Sequence, residues 1–299
     1  MDEETLFEMS VDTLDDLPSV KDIYDLSGKV AVVSGTVGLA LSVIYRLASC
    51  GAKVVFGARR ENLGQMVEDH LRQMGLEVRV HKLDASSVES CQEIVAFAEE
   101  TYGTVDIVVP VAAAFFARAF VDIKESEYDK IVDVDQKGQY FLVQAAARSM
   151  IRGGRGGKVV TVASVAYRGE DMPKLAMMTA YNSAKAGVVG MTRGIAKELK
   201  QYGINVNCVA PGGMVTPGAI FNNATTAALY GAEWTRYVTE YGSSVPVASN
   251  PDEIARMILT MCTPMSDFMY GQLIEVDGGS QYSFQDKPWS YTMEGGVHG

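Results

Sequence analysis

The chain contains few of the residues that build disulfide frameworks or metal centres. Its 299 residues include four cysteines, which are far apart in the sequence, and three histidines, which show no metal-ligand spacing. We therefore expect free thiols, a cytoplasmic location and no metal site. The acidic N-terminus lacks the apolar run of a signal peptide, and no stretch approaches the ~18 uninterrupted apolar residues of a membrane span. We expect neither a secreted protein nor a membrane protein.

Basic residues are too few to suggest a nucleic acid or an anionic membrane as a partner. The net charge is −11, and residues 1–28 hold nine acids and one lysine, so they supply −8 of that charge. We interpret residues 1–28 as an acidic N-terminal extension. It is either a solvated lead-in or an arm that packs on a neighbouring subunit through its apolar side chains, and the sequence leaves both open.

Short Val- and Ile-rich runs alternate with helical patterns along most of the chain. Parallel strands that are buried on both faces have continuous apolar sequences, and helices connect them. The pattern predicts one α/β domain over residues 29–280, a Rossmann-like doubly wound parallel sheet with helices on both faces. The predicted strands are Lys29–Ser34, Lys53–Gly57, Glu77–Leu83, Asp106–Val111, Lys158–Ala163, Asn205–Val209 and Gly271–Val276, and the predicted helices are Leu39–Cys50, Leu63–Met74, Val88–Tyr102, Ser126–Ile151 and Thr179–Gln201.

A glycine-rich turn joins the first predicted strand to the first helix. It begins at Ser34 and reads SGTVGLA, with Gly35 placed for a tight turn and Gly38 for close approach of the backbone to a phosphate. A strand–turn–helix unit of this kind presents backbone N–H groups to a dinucleotide pyrophosphate. A plain β–α turn is the alternative interpretation.

The residues after the second and third strands bear on the choice of cofactor. Folds of this class that prefer NAD have an acid at the end of the second strand, whereas an arginine there accommodates the 2′-phosphate of NADP. Here Ala58 removes the acid and Arg59 follows it. The sequence favours NADP(H) and leaves NAD(H) possible, and a solvated arginine is the alternative role. Asp84 is placed either to accept a hydrogen bond from adenine or to form a turn.

Tyr181 and Lys185 are four residues apart in a predicted helix. This spacing places both side chains on one helix face. A lysine ammonium favours the phenolate, so we predict that the pKa of Tyr181 is lowered, which suits proton transfer near neutral pH. An ordinary helix surface can show the same spacing, so the interpretation depends on the motifs around the pair.

Taken together, these motifs resemble the short-chain dehydrogenase/reductase family over about residues 28–280. The resemblance implies hydride transfer between a nicotinamide and a carbonyl carbon, and thus an enzyme that interconverts ketones and secondary alcohols. It also implies a homo-oligomer, a tetramer or a dimer, paired through the two longest helices. The matching motifs, in order, are the glycine loop, Asp84, Ser164, Tyr181-x-x-x-Lys185, Pro211-Gly212 with Thr216, and the closing Val276-Asp277-Gly278-Gly279.

The resemblance also implies a role for each matched side chain. Tyr181 is the expected general acid in reduction and the expected base in oxidation. Lys185 is expected to lower the pKa of Tyr181 and to hold the nicotinamide ribose, and Ser164 to hydrogen-bond the substrate oxygen. The expected cofactor-binding residues are Ser34, Gly35, Gly38, Arg59, Asp84, Tyr181, Lys185, Pro211, Gly212 and Thr216.

Four features depart from the family pattern. The glycine loop is one residue shorter and ends at Ala40, and Pro110–Ala113 stands in place of the usual N-N-A-G. Asp135 occupies the position of an active-site asparagine, and we expect it to tune the proton relay because an ionised carboxylate cannot donate a hydrogen bond. The interval from Ser164 to Tyr181 is longer than usual, which predicts an extended loop at the mouth of the site.

Residues 213–249 lie where the family has its substrate lid. The aromatic composition of this segment favours a small hydrophobic ring substrate, such as a steroid or a polyphenol, although lid core or a subunit contact would also explain it. A 3-oxoacyl-carrier-protein reductase-like enzyme and a catalytically weak nucleotide-binding regulator are the alternative functions. We expect the aromatic C-terminal tail, residues 281–299, at a subunit boundary or folded onto the lid. The apolar and aromatic lid residues are Met214, Phe221, Leu229, Tyr230, Trp234, Tyr237 and Tyr241, and those of the tail are Tyr282, Phe284, Trp289 and Tyr291.

Overall fold

A seven-stranded parallel sheet forms the centre of the computed structural model. The structure describes residues 1–12, 14, 17–169, 177–219, 224, 225, 228, 229, 231, 249–279, 290–292 and 296–298. The strand order is β3-β2-β1-β4-β5-β6-β7, and each neighbouring pair is parallel. The strands are β1 (Val30–Ser34), β2 (Lys53–Ala58), β3 (Val78–Lys82), β4 (Ile107–Pro110), β5 (Gly157–Val162), β6 (Ile204–Pro211) and β7 (Leu273–Val276).

Helices connect the strands and cover both faces of the sheet. One face packs against α3 and α9, and the opposite face packs against α5, α7 and the C-terminal part of α8. This arrangement confirms the predicted doubly wound α/β fold. The helices are α1 (Glu3–Val11), α2 (Val20–Ile23), α3 (Leu39–Ser49), α4 (Glu61–Gln73), α5 (Val88–Tyr102), α6 (Glu125–Val132), α7 (Gln139–Gly153), α8 (Thr179–Leu199) and α9 (Pro251–Cys262).

The strand and helix ends lie within two residues of the predicted ones, but one predicted helix is interrupted. The range Ser126–Ile151 contains α6, a π-helical turn at Asp133–Gly138, and then α7. Gly138 permits this turn to pack against the loop after β3, because a Cβ atom there would lie 2.0 Å from the carbonyl oxygen of Ala85. The extra residue of a π-turn redirects the side chains within it, and such turns are frequent at functional sites.

Pro110 is accommodated in the middle of the sheet because it is the last residue of β4. It pairs with Ser34 of β1, whereas the register between β4 and β5 is limited to Ile107 and Val108. Proline has no backbone N–H, but Pro110 lies beyond the last residue of β4 that pairs with β5, so no hydrogen bond between these two strands is lost.

The chain outside the sheet domain contains short elements. Helix α1 has no buried residue, and two antiparallel strands, β8 (Ser290–Thr292) and β9 (Gly296–His298), pair with each other. Most of the aromatic residues that we expected in the lid and the tail lie outside the described residues. Across the described part of the chain, no helix combines the length and the apolar character that a membrane crossing needs.

Candidate active site

The candidate site lies at the carboxyl ends of β1, β4, β5 and β6. The chain passes from β1 outward to β2 and β3, and then returns to place β4 on the other side of β1. In open α/β sheets, ligands bind at this reversal of strand order, outside the carboxyl ends of the strands. The glycine loop after β1 and the residues after β4, β5 and β6 therefore face one crevice.

Ser164, Tyr181 and Lys185 come together on one side of this crevice. Ser164 follows β5 and begins a 3₁₀ turn, and its hydroxyl is close enough to Tyr181 on α8 to lower the pKa of that residue. One turn further along α8, Lys185 Nζ lies 5.4 Å from the centroid of the Tyr181 ring. The spacing of four residues thus has the geometric consequence that the sequence predicts.

Asp135 joins this cluster from the π-helical turn. Its Oδ1 atom lies 3.0 Å from Lys185 Nζ, and its Oδ2 atom accepts a hydrogen bond of 2.8 Å from the Ala114 backbone N–H. Lys185 Nζ also donates to the carbonyl oxygen of Val162 at 3.1 Å. The side chains of Asp135 and Lys185 are 0% and 2% exposed, so they form a fully buried ion pair.

The ionisation of Tyr181 differs from the sequence-based prediction. Burial raises the pKa of Tyr181, and the negative charge of Asp135 raises it further, while the Lys185 ammonium and the Ser164 hydroxyl oppose this rise. The pKa of Tyr181 is therefore raised overall, whereas its spacing to Lys185 alone predicts a lowered pKa. Lys185 acts in the predicted direction, but the low-dielectric surroundings disfavour the charged phenolate more strongly.

Two phenylalanines that the sequence analysis did not single out line the cluster. The rings of Phe115 and Tyr181 meet edge to face, with centroids 5.1 Å apart. Phe116 and Ile123 pack with Tyr181 against the buried side chain of Ile131. Both phenylalanines lie in the loop after β4, at the carboxyl end of a central strand, and this position was the available signal for them.

The glycine loop faces the segment that follows β6. A Cβ atom on Gly38 would lie 3.3 Å from the Thr216 side chain, and one on Gly35 would lie 3.0 Å from Ala40. Helix α3 begins after Gly38, which provides no side-chain cap for its first N–H groups. The shortened loop therefore still presents a helix N-terminus, next to Thr216.

Ser34 has a structural contact in this loop. Its hydroxyl accepts a hydrogen bond of 2.9 Å from the Ala112 backbone N–H, and the residue is 2% exposed. The contact connects the end of β1 to the loop that follows Pro110. It holds the loop after β4 against the end of β1, at the position where Pro110–Ala113 replaces the N-N-A-G sequence.

Arg59 and Asp84 lie near each other at the end of the crevice beyond the glycine loop. Arg59 is exposed directly after β2, and its charge helps to lower the pKa of Asp84. The larger cause of that lowering is hydrogen bonding from Ser86, whose hydroxyl and backbone N–H both donate to Asp84 Oδ1. Asp84 thus has the turn-forming contacts that the sequence analysis left open as its alternative role.

The Pro211–Gly212 turn packs against the end of β7. A Cβ atom on Gly212 would lie 2.7 Å from the Cα atom of Asp277, and the Gly212 N–H donates to the carbonyl oxygen of Val276 at 2.9 Å. The Asp277 carboxylate in turn accepts from the Gly279 N–H. This contact gives the closing Val-Asp-Gly-Gly motif a physical role, because it fixes the turn at the crevice.

The two ends of the expected lid segment are joined at its base. Met214 and Ser249 form a parallel bridge, and the Ser249 N–H donates to the carbonyl oxygen of Gly213 at 2.9 Å. Residues 214 and 249 therefore lie side by side close to the Pro211–Gly212 turn. A search of the described residues finds no group of three or more His, Cys, Asp or Glu side chains that could hold a metal ion.

Comparisons with known proteins agree with this arrangement. A family model described as enoyl-(acyl carrier protein) reductase matches residues 33–281. Galactitol 2-dehydrogenase of Agrobacterium fabrum is 31% identical over 268 residues, which cover 86% of this chain and 99% of the relative. The 3-oxoacyl-[acyl-carrier-protein] reductase FabG of Thermotoga maritima is 31% identical over 262 residues, covering 85% of this chain and 98% of the relative.

A solved structure extends the likeness to three dimensions. The crystal structure of a short-chain type dehydrogenase/reductase from Mycobacterium marinum superposes with a TM-score of 0.78 and is 28% identical. The match covers 88% of this chain and 99% of that chain. The chain belongs to the short-chain dehydrogenase/reductase family.

Proposed function

We propose that this protein interconverts a ketone and a secondary alcohol with NADP(H), and that its substrate is a small hydrophobic molecule with a ring. As a member of its family, the chain is an NAD(P)-dependent oxidoreductase acting on CH–OH or C=O groups. The cofactor preference and the substrate class are the new parts. The observation that best supports the substrate class is the apolar side of the catalytic cluster, where the ring centroids of Phe115 and Tyr181 are 5.1 Å apart. The cofactor preference rests on exposed Arg59 directly after β2.

The assembled side chains suit proton transfer to a carbonyl oxygen. Tyr181 would donate its hydroxyl proton in reduction and accept it back in oxidation, and Ser164 would hydrogen-bond the same oxygen. These contacts strengthen as negative charge develops on that oxygen, which is where electrostatic stabilisation contributes most to the rate. The nicotinamide cofactor supplies the hydride chemistry when it is bound.

The crevice fits a dinucleotide. The N-terminus of α3, which lacks a side-chain cap, suits a pyrophosphate, and Gly35 and Gly38 leave room for it. Thr216 lies beside the loop and, with Pro211 and Gly212, would orient the carboxamide end, and Lys185 would hold the ribose. Exposed Arg59 would pair with a 2′-phosphate, since its guanidinium fork suits that group and β2 ends at Ala58 instead of at an acid.

The surroundings of Tyr181 support an apolar substrate. The Phe115 ring contacts the Tyr181 ring, and Phe116 and Ile123 belong to the same hydrophobic cluster as Tyr181. A polyol such as galactitol instead needs hydrogen-bond partners for each hydroxyl that it buries. A 3-oxoacyl carrier-protein thioester is the second candidate, because the relative from Thermotoga maritima matches over 98% of its length. The assembled Ser164–Tyr181–Lys185 cluster opposes a purely regulatory role.

A substrate panel tests the proposal. Purified protein with NADPH or NADH would be given steroid ketones, aryl ketones and a 3-oxoacyl thioester, and with the oxidised cofactors it would be given galactitol and sorbitol. Loss or gain of nicotinamide absorbance reports turnover, and Tyr181→Phe is the matched control. We expect the highest kcat/KM with a ring ketone and NADPH. A clear preference for a polyol or for the thioester would reject the substrate class, and a preference for NADH would reject the cofactor.

A further inference from the structure

The buried ion pair of Asp135 and Lys185 has a consequence for the direction of the reaction. Lys185 Nζ lies between two groups of the cluster, 3.0 Å from Asp135 Oδ1 and 5.4 Å from the centroid of the Tyr181 ring. Within the described residues, that Oδ1 atom is buried and makes no aligned hydrogen bond, so its interaction with Lys185 is one of charge. The ammonium therefore faces an anion on one side and a neutral phenol on the other.

Burial raises the pKa of Asp135, while the charge of Lys185 and the hydrogen bond from the Ala114 N–H oppose that rise. On α8, Tyr181 and Lys185 are the titratable residues of the cluster, and β6 contributes Cys208, whose buried thiol has a raised pKa and stays neutral at neutral pH. Asp135 comes from the π-helical turn, and β5 contributes only a carbonyl oxygen, that of Val162, at 3.1 Å. Among the residues that the structure describes, the charged groups that act on Tyr181 are Lys185 and Asp135.

We propose that Asp135 is a positioning residue whose ion pair with Lys185 keeps Tyr181 in its proton-donating form, so that at neutral pH the enzyme works as a carbonyl reductase. This inference rests on the proposed function for its catalytic consequence. An asparagine in the same place would leave the full charge of Lys185 to stabilise the phenolate. The Asp135 carboxylate instead offsets the charge of Lys185, so the lysine stabilises the Tyr181 phenolate less.

The sign of the effect follows from the protonation state that each direction needs. Reduction needs protonated Tyr181, so its rate falls as pH rises through the pKa of that residue. Oxidation needs the phenolate, so its rate rises through the same value. A raised pKa extends reduction to higher pH and confines oxidation to alkaline pH. Burial and Asp135 raise the pKa of Tyr181, Lys185 lowers it, and the net effect is a raised pKa.

Two measurements test this role, and one of them needs neither substrate nor cofactor. The first is the ultraviolet absorbance change of tyrosine ionisation, recorded against pH for the parent and for Tyr181→Phe, with the difference assigned to Tyr181. The second is the pH profile of kcat/KM in both directions. We expect the midpoint of the parent to lie no lower than the ordinary tyrosine value of about 10. In Asp135→Asn, both readouts should move to lower pH by about one unit, or about tenfold in proton concentration.

Asp106→Asn is the matched control. Asp106 is also a buried carboxylate that accepts one backbone N–H, that of Val30, and pairs with one cation, Arg155, but it lies at the opposite end of the sheet. Its substitution should leave the Tyr181 midpoint unchanged. Asp135→Ser is the second variant if the asparagine variant does not fold.

The outcomes separate this proposal from the proposed function. An unchanged or more alkaline Tyr181 midpoint in the folded Asp135 variants would overturn the proposal, and so would a parent midpoint below about 8, well under the ordinary value of tyrosine. If no Asp135 variant folds, the ionisation midpoint of Tyr181 in the parent still tests the proposal. A correct absorbance shift without turnover on any ketone would retain this role for Asp135 and reject the proposed substrate class.

Discussion

The two sides of the crevice build their parts of the candidate site in different ways. On the β5 side, the arrangement depends on side chains that contact one another, namely Asp135, Ser164, Tyr181 and Lys185. On the β1 side, it depends on backbone groups and on small residues such as Gly35 and Gly38, where a side chain would collide with a neighbour. The first side retains Ser164, Tyr181 and Lys185 of the family motif and has Asp135 in place of its asparagine, whereas the second side has a shortened loop.

This difference indicates which changes each side can tolerate. A site made of backbone N–H groups survives the loss of a residue, provided that the helix N-terminus still faces the crevice. A cluster of charged and hydroxyl side chains tolerates no such change, because each member sets the ionisation of the next. We therefore expect substitutions on the β5 side to alter chemistry and those on the β1 side to alter cofactor binding.

The largest expected effect is that of Tyr181→Phe. The substitution removes the proton donor and keeps the ring that packs against Phe115, so the fold should persist. We expect kcat to fall by about 10²–10⁴-fold, the usual contribution of a general acid. Steady-state kinetics together with a cofactor-binding titration check this expectation. Turnover within threefold of the parent in a folded variant would contradict the role of Tyr181.

Arg59→Ala should change the choice of cofactor and leave the chemistry intact. Charge-assisted hydrogen bonds contribute about 1.5–3 kcal/mol, so we expect kcat/KM with NADPH to fall by about 10–100-fold. The value with NADH should stay the same, because NADH has no 2′-phosphate. Arg60→Ala is the control at the adjacent exposed position. Equal losses with both cofactors would show that Arg59 does not recognise the 2′-phosphate.

Gly212→Ala should weaken the turn that faces the cofactor crevice. The added Cβ atom would lie 2.7 Å from the Asp277 Cα atom, a backbone contact that cannot be relieved by rotating a side chain. We expect a loss of stability of about 1–3 kcal/mol and weaker cofactor binding. Chemical denaturation and a cofactor titration measure the two effects.

Gly190→Ala is the control for this glycine. Gly190 lies in α8 with no atom near the added methyl group, so the substitution should stabilise the protein by about 0.5–1 kcal/mol. If both substitutions destabilise equally, the contact between Gly212 and Asp277 is not the cause.

The smallest expected effect concerns the support of α3. Arg46 on α3 forms two hydrogen bonds, of 2.6 and 2.7 Å, with Asp252 on α9. These bonds, together with a weaker contribution from Arg256, lower the pKa of Asp252 to about 2. Because both side chains are partly exposed, Asp252→Asn should cost at most about 1 kcal/mol at neutral pH.

The pH dependence of this pair follows from the lowered pKa. The carboxylate contributes its stability above the unfolded value of about 4 and loses it as pH falls towards 2. Denaturant unfolding at pH 7 and at pH 3 should therefore show the difference between parent and variant shrinking in acid. A difference that is constant or grows in acid would contradict the ion pair.

Much of the fold could be predicted from the sequence. Runs of Val and Ile indicated the buried strands, and glycines marked several helix ends, so most strand and helix bounds followed from elementary rules. The π-helical turn at Asp133–Gly138 could not be predicted in this way. Hydrophobic periodicity reports which face is buried, but it does not report an extra residue in a turn whose cause is the packing of Gly138 on Ala85.

The sequence could place Tyr181 and Lys185 on one helix face, but it could not give the electrostatics around them. The spacing of Tyr181 and Lys185 placed them together, but the upward direction of the Tyr181 pKa depends on burial and on Asp135. Neither is visible from a spacing of four residues. The contact of Phe115 with Tyr181 likewise depends on the path of the loop after β4.

The most direct test of the central claim follows the transferred hydrogen. NADPH labelled with deuterium at C4, prepared separately on each face of the ring, would be incubated with the protein and the best ketone from the panel. Mass spectrometry of the alcohol then shows where the label resides. We predict that one labelled cofactor places deuterium on the carbinol carbon and that Tyr181→Phe forms little of this product. An alcohol without label from both cofactors, or equal labelled product from the variant, would contradict the account.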